Sequence, residues 1–270
     1  MFRIRIQNKK KCIWYCSAVV SFLLFLLLLG WTNHLANTQD AQQMAGRWSE
    51  KKDVAQISCF FSSKAEVTED TIQSFEYSLK NVLQEASITE TSENPSARLW
   101  VDAYSADGKI TLVNGKNTLD ANAIGIGGDF FMFHPLKLIT GSYFSGNDLM
   151  QDYCIIDQDA AWQLFGSNDV VGMTVYIGNV PHIVTGVVQR PDSRMDKAAG
   201  LNSTVVYVSY ETLSAYGTNN GINHYEIVMP NPVDEFAYGK VKEGIGIDEK
   251  NVEIVENSRR YSLPNRIKTI

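Results

Sequence analysis

The sequence lacks the short motifs that most hydrolases and nucleotide-binding proteins carry. It has no G-x-S-x-G elbow, no G-x-x-x-x-G-K-[ST] phosphate loop and no H-E-x-x-H helix. Its four histidines (His34, His134, His182, His224) are far from one another and from any cysteine pair. A zinc site of the usual spacing is therefore not expected, and each histidine reads as a surface or strand-packed side chain. No catalytic residue, cofactor or metal is assigned. Four cysteines in 270 residues exclude a disulfide-built miniprotein, and 19 Gly with 7 Pro exclude collagen-like or Pro/Gly-rich disordered chains. Cys12 and Cys16 read as small filler at the edge of an apolar run, with S-palmitoylation as the sharper alternative. Cys59 and Cys154 lie in strand-like runs, where one disulfide and two buried thiols both stand open.

Charge is missing where it matters most. No acidic residue precedes Thr32, whereas Arg3, Arg5, Lys9, Lys10 and Lys11 do, and Ile13 to Trp31 carry no charge at all. A bilayer core is spanned by about 20 helical residues, so residues 13–31 read as a transmembrane helix. Residues 1–12 form a cytoplasmic basic segment by the positive-inside rule, which places the rest outside the cell membrane in a single-pass arrangement. A cleavable signal is the competing reading, and with it a secreted enzyme. Bulky Trp31 and His34 stand where a cleavage site needs small residues. Beyond Thr32 the chain holds 19 basic against 30 acidic residues, a net −11 that repels nucleic acid.

Residues 32–53 read as a polar stalk in which Ala36 to Trp48 can continue the anchor helix. Val54 to Phe61 alternates as a first strand. Thr68 caps a helix with Glu69 and Asp70 in its first turn and Ile72, Phe75, Leu79, Val82, Leu83 and Ala86 at helical spacing. Asp107-Gly108 predicts a hairpin between Ala97–Ser105 and Lys109–Val113. A short strand is expected at Ala121–Ile126, another at Tyr153–Ile156 before a helix Asp159–Phe165, and a second hairpin joins Thr174–Ile177 to His182–Val188. The last third reads β-α-β-α-β, with a helix Val233–Glu243 started by Pro232. The class is α+β: a transmembrane helix, then a two-lobed mixed α/β ectodomain over residues 54–257. Its inserted β-rich lobe spans about 128–191. Residues 258–270 form a basic juxtamembrane-like tail, either a lead-in to a second span or a frayed end.

Two constellations suggest chemistry. Gly125, Gly127 and Gly128 lack the third glycine of a dinucleotide fingerprint and run into Asp129, so they read as a turn. Asp157 and Asp159 suggest an acid/base pair or a hard-cation site, but their place between strand and helix reads as capping. Phe130, Phe131 and Phe144 read as core.

A series of linked segments carries a family likeness: Gly128-Asp129-Phe130-Phe131, Pro135 to Phe144, Cys154 to Asp157 with Ala160, Leu164-Phe165-Gly166, Val171 to Val175, Val184 to Val188, and Val206 to Ser209. In this order and spacing the chain resembles the extracytoplasmic core domain of MacB/FtsX-type ABC transporter permeases, over roughly Ile13 to Ile270. The resemblance implies a non-enzymatic two-lobed ectodomain between the first and second membrane helices of a dimerising permease, homodimeric or heterodimeric. Its implied partners are an ABC ATPase subunit and the remaining permease segments. The family pattern continues into three more helices, so the expected function is that of a truncated or split permease serving export or mechanotransmission. The alternative is a free-standing, membrane-tethered binding or sensing module without an ATPase. The residues name no partner-binding surface.

Overall fold

Strand-forming residues that alternate from Val54 to Phe61 present two different faces, and the folded part of the chain is built on both. The computed structural model describes residues 9–38, 40–49, 53–89, 97–190 and 203–260, with 194 and 198. The described residues fall into two units, one up to Asp40 and one over residues 41–260.

In the first unit, α1 (Lys9–Asn37) contains the uncharged stretch Ile13–Leu35, long and apolar enough to cross a membrane. Trp14, Phe22, Leu27 and Trp31 stand exposed along it. A helix that is apolar all round needs lipid or protein to cover it.

The second unit starts with the short helix α2 (Met44–Trp48), so the anchor helix does not continue to Trp48. Met44 is buried, and its N–H donates to Gln56 Oε1 at 2.9 Å. These contacts hold the polar linker against the folded unit. There follow β1 (Val54–Phe61), α3 (Glu69–Glu85), β2 (Val101–Asn114), β3 (Asn117–Gly128), α4 (Phe130–Phe133), β4 (Leu138–Gly141), β5 (Tyr153–Asp157) and α5 (Gln158–Phe165). The chain continues through β6 (Thr174–Ile177), β7 (Val180–Val188), β8 (Val205–Ser209), α6 (Tyr210–Tyr216), β9 (Thr218–Asn219), β10 (His224–Pro230), α7 (Phe236–Gly244), β11 (Val252–Glu256) and α8 (Asn257–Arg260).

Among the described residues, all eleven strands join one mixed sheet in the order β11-β1-β10-β2-β3-β8-β5-β7-β4, with β6 bridging β2 and β7 and β9 on β2. The β3–β8 and β5–β7 pairs are parallel and the others antiparallel. The fold is α+β with a large mixed sheet, as the residue pattern predicts. Strands β1 and β11 are neighbours, with Ile57 opposite Glu256 and Phe61 opposite Val252. The start of β1 and the end of β11 therefore lie at the same end of the sheet, where Ser258 Oγ accepts from the Gln56 N–H at 2.7 Å.

One face buries Ala55, Ile57 and Cys59 of β1 under α3 and α7. The α3 helix starts at Thr68, whose N–H donates to Thr71 Oγ1, and it buries Ile72, Phe75, Leu79 and Leu83 at the predicted spacing. Val82, also expected there, is half-buried, and Ala86 lies exposed just past the helix. The opposite face packs Val101, Ala103 and Val228 against Met44, Phe131 and Phe133, under α2 and α4. Phe130, Phe131 and Phe144 are core, as predicted.

Three local expectations fail for physical reasons. Asp107-Gly108 makes no turn: Asp107 pairs with Ile124 and Gly108 with Ala123 inside the uninterrupted strand β2. Gly108 is needed because a Cβ there would stand 2.3 Å from the Thr218 carbonyl oxygen of β9. The turn falls instead at Gly115, with φ +59°, beside Asn114. Gly125, Gly127 and Gly128 also make no turn but lie in β3, where a Cβ on Gly127 would land 1.9 Å from the Tyr104 ring. The last long helix begins at Phe236 rather than Val233, because Asn231 Oδ1 accepts from the Ala237 N–H at 3.0 Å after a tight turn through Glu235. Elsewhere the β6–β7 hairpin forms across Gly178-Asn179, and β5 leads directly into α5. The expected basic tail lies outside the described residues from Tyr261 on.

Candidate functional site

Period-two alternation on β10 puts His224 and Glu226 on the face covered by α2 and α4 and puts Tyr225 on the other. Buried carboxylates consequently sit on both sides of the same strand pair, β10 and β2, in opposite company.

On the α4 side, Glu226 is only 3% exposed. Ser58, directly opposite on β1, donates its hydroxyl to Glu226 Oε1 at 2.8 Å and accepts from Asn257 Nδ2 at 2.7 Å. Gln56 Nε2 adds a longer contact at 3.4 Å. His134, just past α4, brings Nε2 to 2.5 Å from Glu226 Oε2, and His224 Nε2 lies 3.9 Å from Oε1. Glu226 Oε2 thus has His134 as its close neighbour, while His224 Nε2 is buried without a hydrogen-bond partner. Ring packing positions the imidazoles: His224 stacks on Phe60 at 4.6 Å between centroids, and His134 tilts against Phe130 at the same distance. Burial works to raise the Glu226 pKa, but His134, His224 and the Ser58 hydroxyl outweigh it and hold the carboxyl below its ordinary range. Burial also lowers the His224 pKa, against the pull of Glu226.

On the α3 side, Asp102 of β2 accepts from the Tyr225 hydroxyl at 2.9 Å and meets Glu76 of α3. Burial, and then the neighbouring Asp102, push Glu76 up to about 8, and burial raises Asp102 as well. Two carboxyl groups in such contact share a proton near neutral pH. Next to them is a groove of about 380 Å³ lined by Lys80, Gln84, Ile88, Arg98, Trp100 and Asp102 among others. Arg98 also pairs with Asp129 at 2.6 Å.

The residues singled out in the sequence make local structural contacts. Asp157 caps α5 by accepting from the Ala160 N–H at 2.7 Å, and its other oxygen accepts from the Val205 N–H at 3.1 Å. Arg190 pairs with both Asp159, at 2.5 Å, and Asp157, at 3.5 Å. His182 is strand-packed, contacting Val180 O and Thr212 Oγ1. Cys59 and Cys154 are buried free thiols, and burial pushes the Cys154 thiol up to about 12. The spacing argument missed the convergence of His134, His224 and Glu226. The His-x-Glu spacing on a strand was its one local signal, and the arrival of His134 depends on the fold. Large apolar side chains also stand exposed between β4 and β6, with Leu149 fully exposed and Met150, Val171 and Met173 about half so.

A family model described as the MacB-like periplasmic core domain matches residues 21–254. The macrolide export ATP-binding/permease protein MacB of Chromobacterium violaceum is 32% identical over 99 residues, which is 36% of this chain and 15% of the relative. The protein of the same name from Pasteurella multocida is 30% identical over 98 residues, 36% of this chain and 14% of the relative. The match thus spans about one seventh of those relatives' length. Among solved structures, the periplasmic region of MacB from Actinobacillus actinomycetemcomitans aligns with a TM-score of 0.48 and 20% identity, over 80% of this chain and 93% of that one. The extracellular domain of the ABC-type transporter YknZ from Gram-positive bacteria gives 0.44 and 18%, over 74% and 99%.

Proposed function

This chain belongs to the family of MacB-like periplasmic core domains, and on that footing we propose that it is the membrane-anchored extracytoplasmic part of an ABC permease. Residues 1–12 stay in the cytoplasm, α1 spans the bilayer, and residues 54–257 work outside. The chain acts as a homodimer or heterodimer with the remaining permease segments and an ABC ATPase subunit. Nucleotide-driven motion reaches the outer domain through the anchor, and the domain binds a substrate or partner protein rather than catalysing a reaction. We take residues about 128–191 as the lobe that makes that contact, on the strength of Leu149, Met150, Val171 and Met173, whose apolar side chains face water.

The family match itself carries the reading, since it runs from within the apolar helix at Ser21 through the whole sheet to Ile254. Anchor and sheet thereby read as parts of one permease segment. The test is to express the tagged full chain in its own cells, cross-link, and identify what co-purifies. Recovery of an ABC ATPase or permease in amounts comparable to the chain is the expected result. Recovery of neither overturns the transporter reading in favour of a tethered binding module. A cysteine placed at Ser49 should react with an impermeant thiol reagent in intact cells, and protection of that cysteine overturns the orientation.

A further inference from the structure

We propose that His134, His224 and Glu226 form a binding site for a divalent transition-metal ion of the zinc class. Their donor atoms all lie within 4.8 Å of one another. Two imidazole nitrogens and a carboxylate oxygen are the donor set that zinc accepts with a fourth position left to water. At zinc–ligand distances of about 2.0–2.1 Å, tetrahedral donors stand roughly 3.3 Å apart. The 2.5 Å contact of His134 with Oε2 has to open slightly, and His224, now 3.9 Å from the other oxygen, Oε1, has to turn toward the same ion. Both are side-chain adjustments.

A second observation points the same way. His224 Nε2 is buried without a hydrogen-bond partner and lies 3.9 Å from Glu226 Oε1. An unpaired buried polar atom is costly, and a cation held between the imidazoles and the carboxylate satisfies it. The surroundings already hold the donors in place: the Ser58 hydroxyl orients the carboxylate through Oε1, and the rings of Phe60 and Phe130 hold the two imidazoles. Such outer contacts tune a metal site. The histidine side chains are 24% and 20% exposed, which leaves an ion a way in. An ion here ties the end of α4 to the centre of the sheet.

The test uses the full chain in detergent, stripped with a chelator and titrated with Co²⁺ and then Zn²⁺. The expected result is one equivalent of Co²⁺ with the visible absorption of a four-coordinate nitrogen/oxygen site, displaced by Zn²⁺. His134→Gln and His224→Gln each weaken binding at least tenfold, while His34→Gln leaves it unchanged. Because Glu226→Gln alone disturbs the folded state, the two partly exposed histidines carry the test, with circular dichroism to show that each variant is folded. Absence of the cobalt absorption, or wild-type affinity in either folded histidine variant, overturns the proposal.

Discussion

The two faces of the β10–β2 pair show how neighbours decide what a buried carboxylate does. Glu226 and Asp102 lie on opposite faces of the same strand pair, one residue apart in register. Glu226 meets two imidazoles and a serine hydroxyl and is held ionised. Asp102 meets another acid and a tyrosine hydroxyl, and both it and Glu76 are held toward the protonated form. Burial opposes ionisation on both sides, and the sign of the nearest charge decides the outcome.

The largest break in this comparison comes from Glu226→Gln, which leaves two imidazoles beside a neutral amide. In chelator-treated protein it should cost about 3 kcal/mol, the usual loss when one partner of a buried ion pair is removed. A shift in the urea midpoint measures it. Gly127→Ala is a charge-free control on the neighbouring ladder. Its Cβ collides with the Tyr104 ring, and overpacking of this kind costs about 1–3 kcal/mol.

The pH dependence separates the two faces by sign. Glu226, with its pKa depressed in the folded chain, contributes stability that is present above its unfolded value and is lost as pH falls through the folded one. Glu76, raised from 4.5 to about 8, favours the folded state at low pH, and that contribution is lost as pH rises from about 4.5 through about 8. Glu76→Gln should therefore remove the alkaline slope and leave the acid limb intact. After allowance for its partial exposure to water, the gain at pH 8 should be about 1–2 kcal/mol. Urea midpoints between pH 4 and 9 decide this, and an alkaline slope that survives in the variant contradicts the shared proton. The smallest effect belongs to Asp102→Asn, whose amide can still accept from Tyr225 and donate to Glu76. A change within about 1 kcal/mol is expected at pH 7.

What could be read from the residues was whatever short-range physics settles. The alternation of Val54 to Phe61, the Thr68 cap, the helical spacing of Ile72, Phe75, Leu79 and Leu83 and the cap at Asp157 all depend on near neighbours in sequence. The uncharged run from Ile13 is of the same kind. Asp107-Gly108 misled because the need for glycine there comes from β9, more than a hundred residues later. Asn114-Gly115, with equally good turn chemistry, made the real hairpin. Gly127 answers to an aromatic ring across the strand pair. The His134, His224 and Glu226 cluster was hidden for the same reason, since a motif search looks along the chain and these side chains meet across it.

The adjacency of β1 and β11 decides how the folded unit would respond to a pull on its ends. The first and last long strands run antiparallel and side by side, so their outer ends emerge together. Drawing those ends apart peels the ladder one rung at a time, which takes little force, whereas moving them in step loads no rung and carries the whole sheet along as a lever. An antiparallel pair with both loaded ends on one side is in the unzipping geometry, so opposed displacement of those ends would open the β1–β11 seam first.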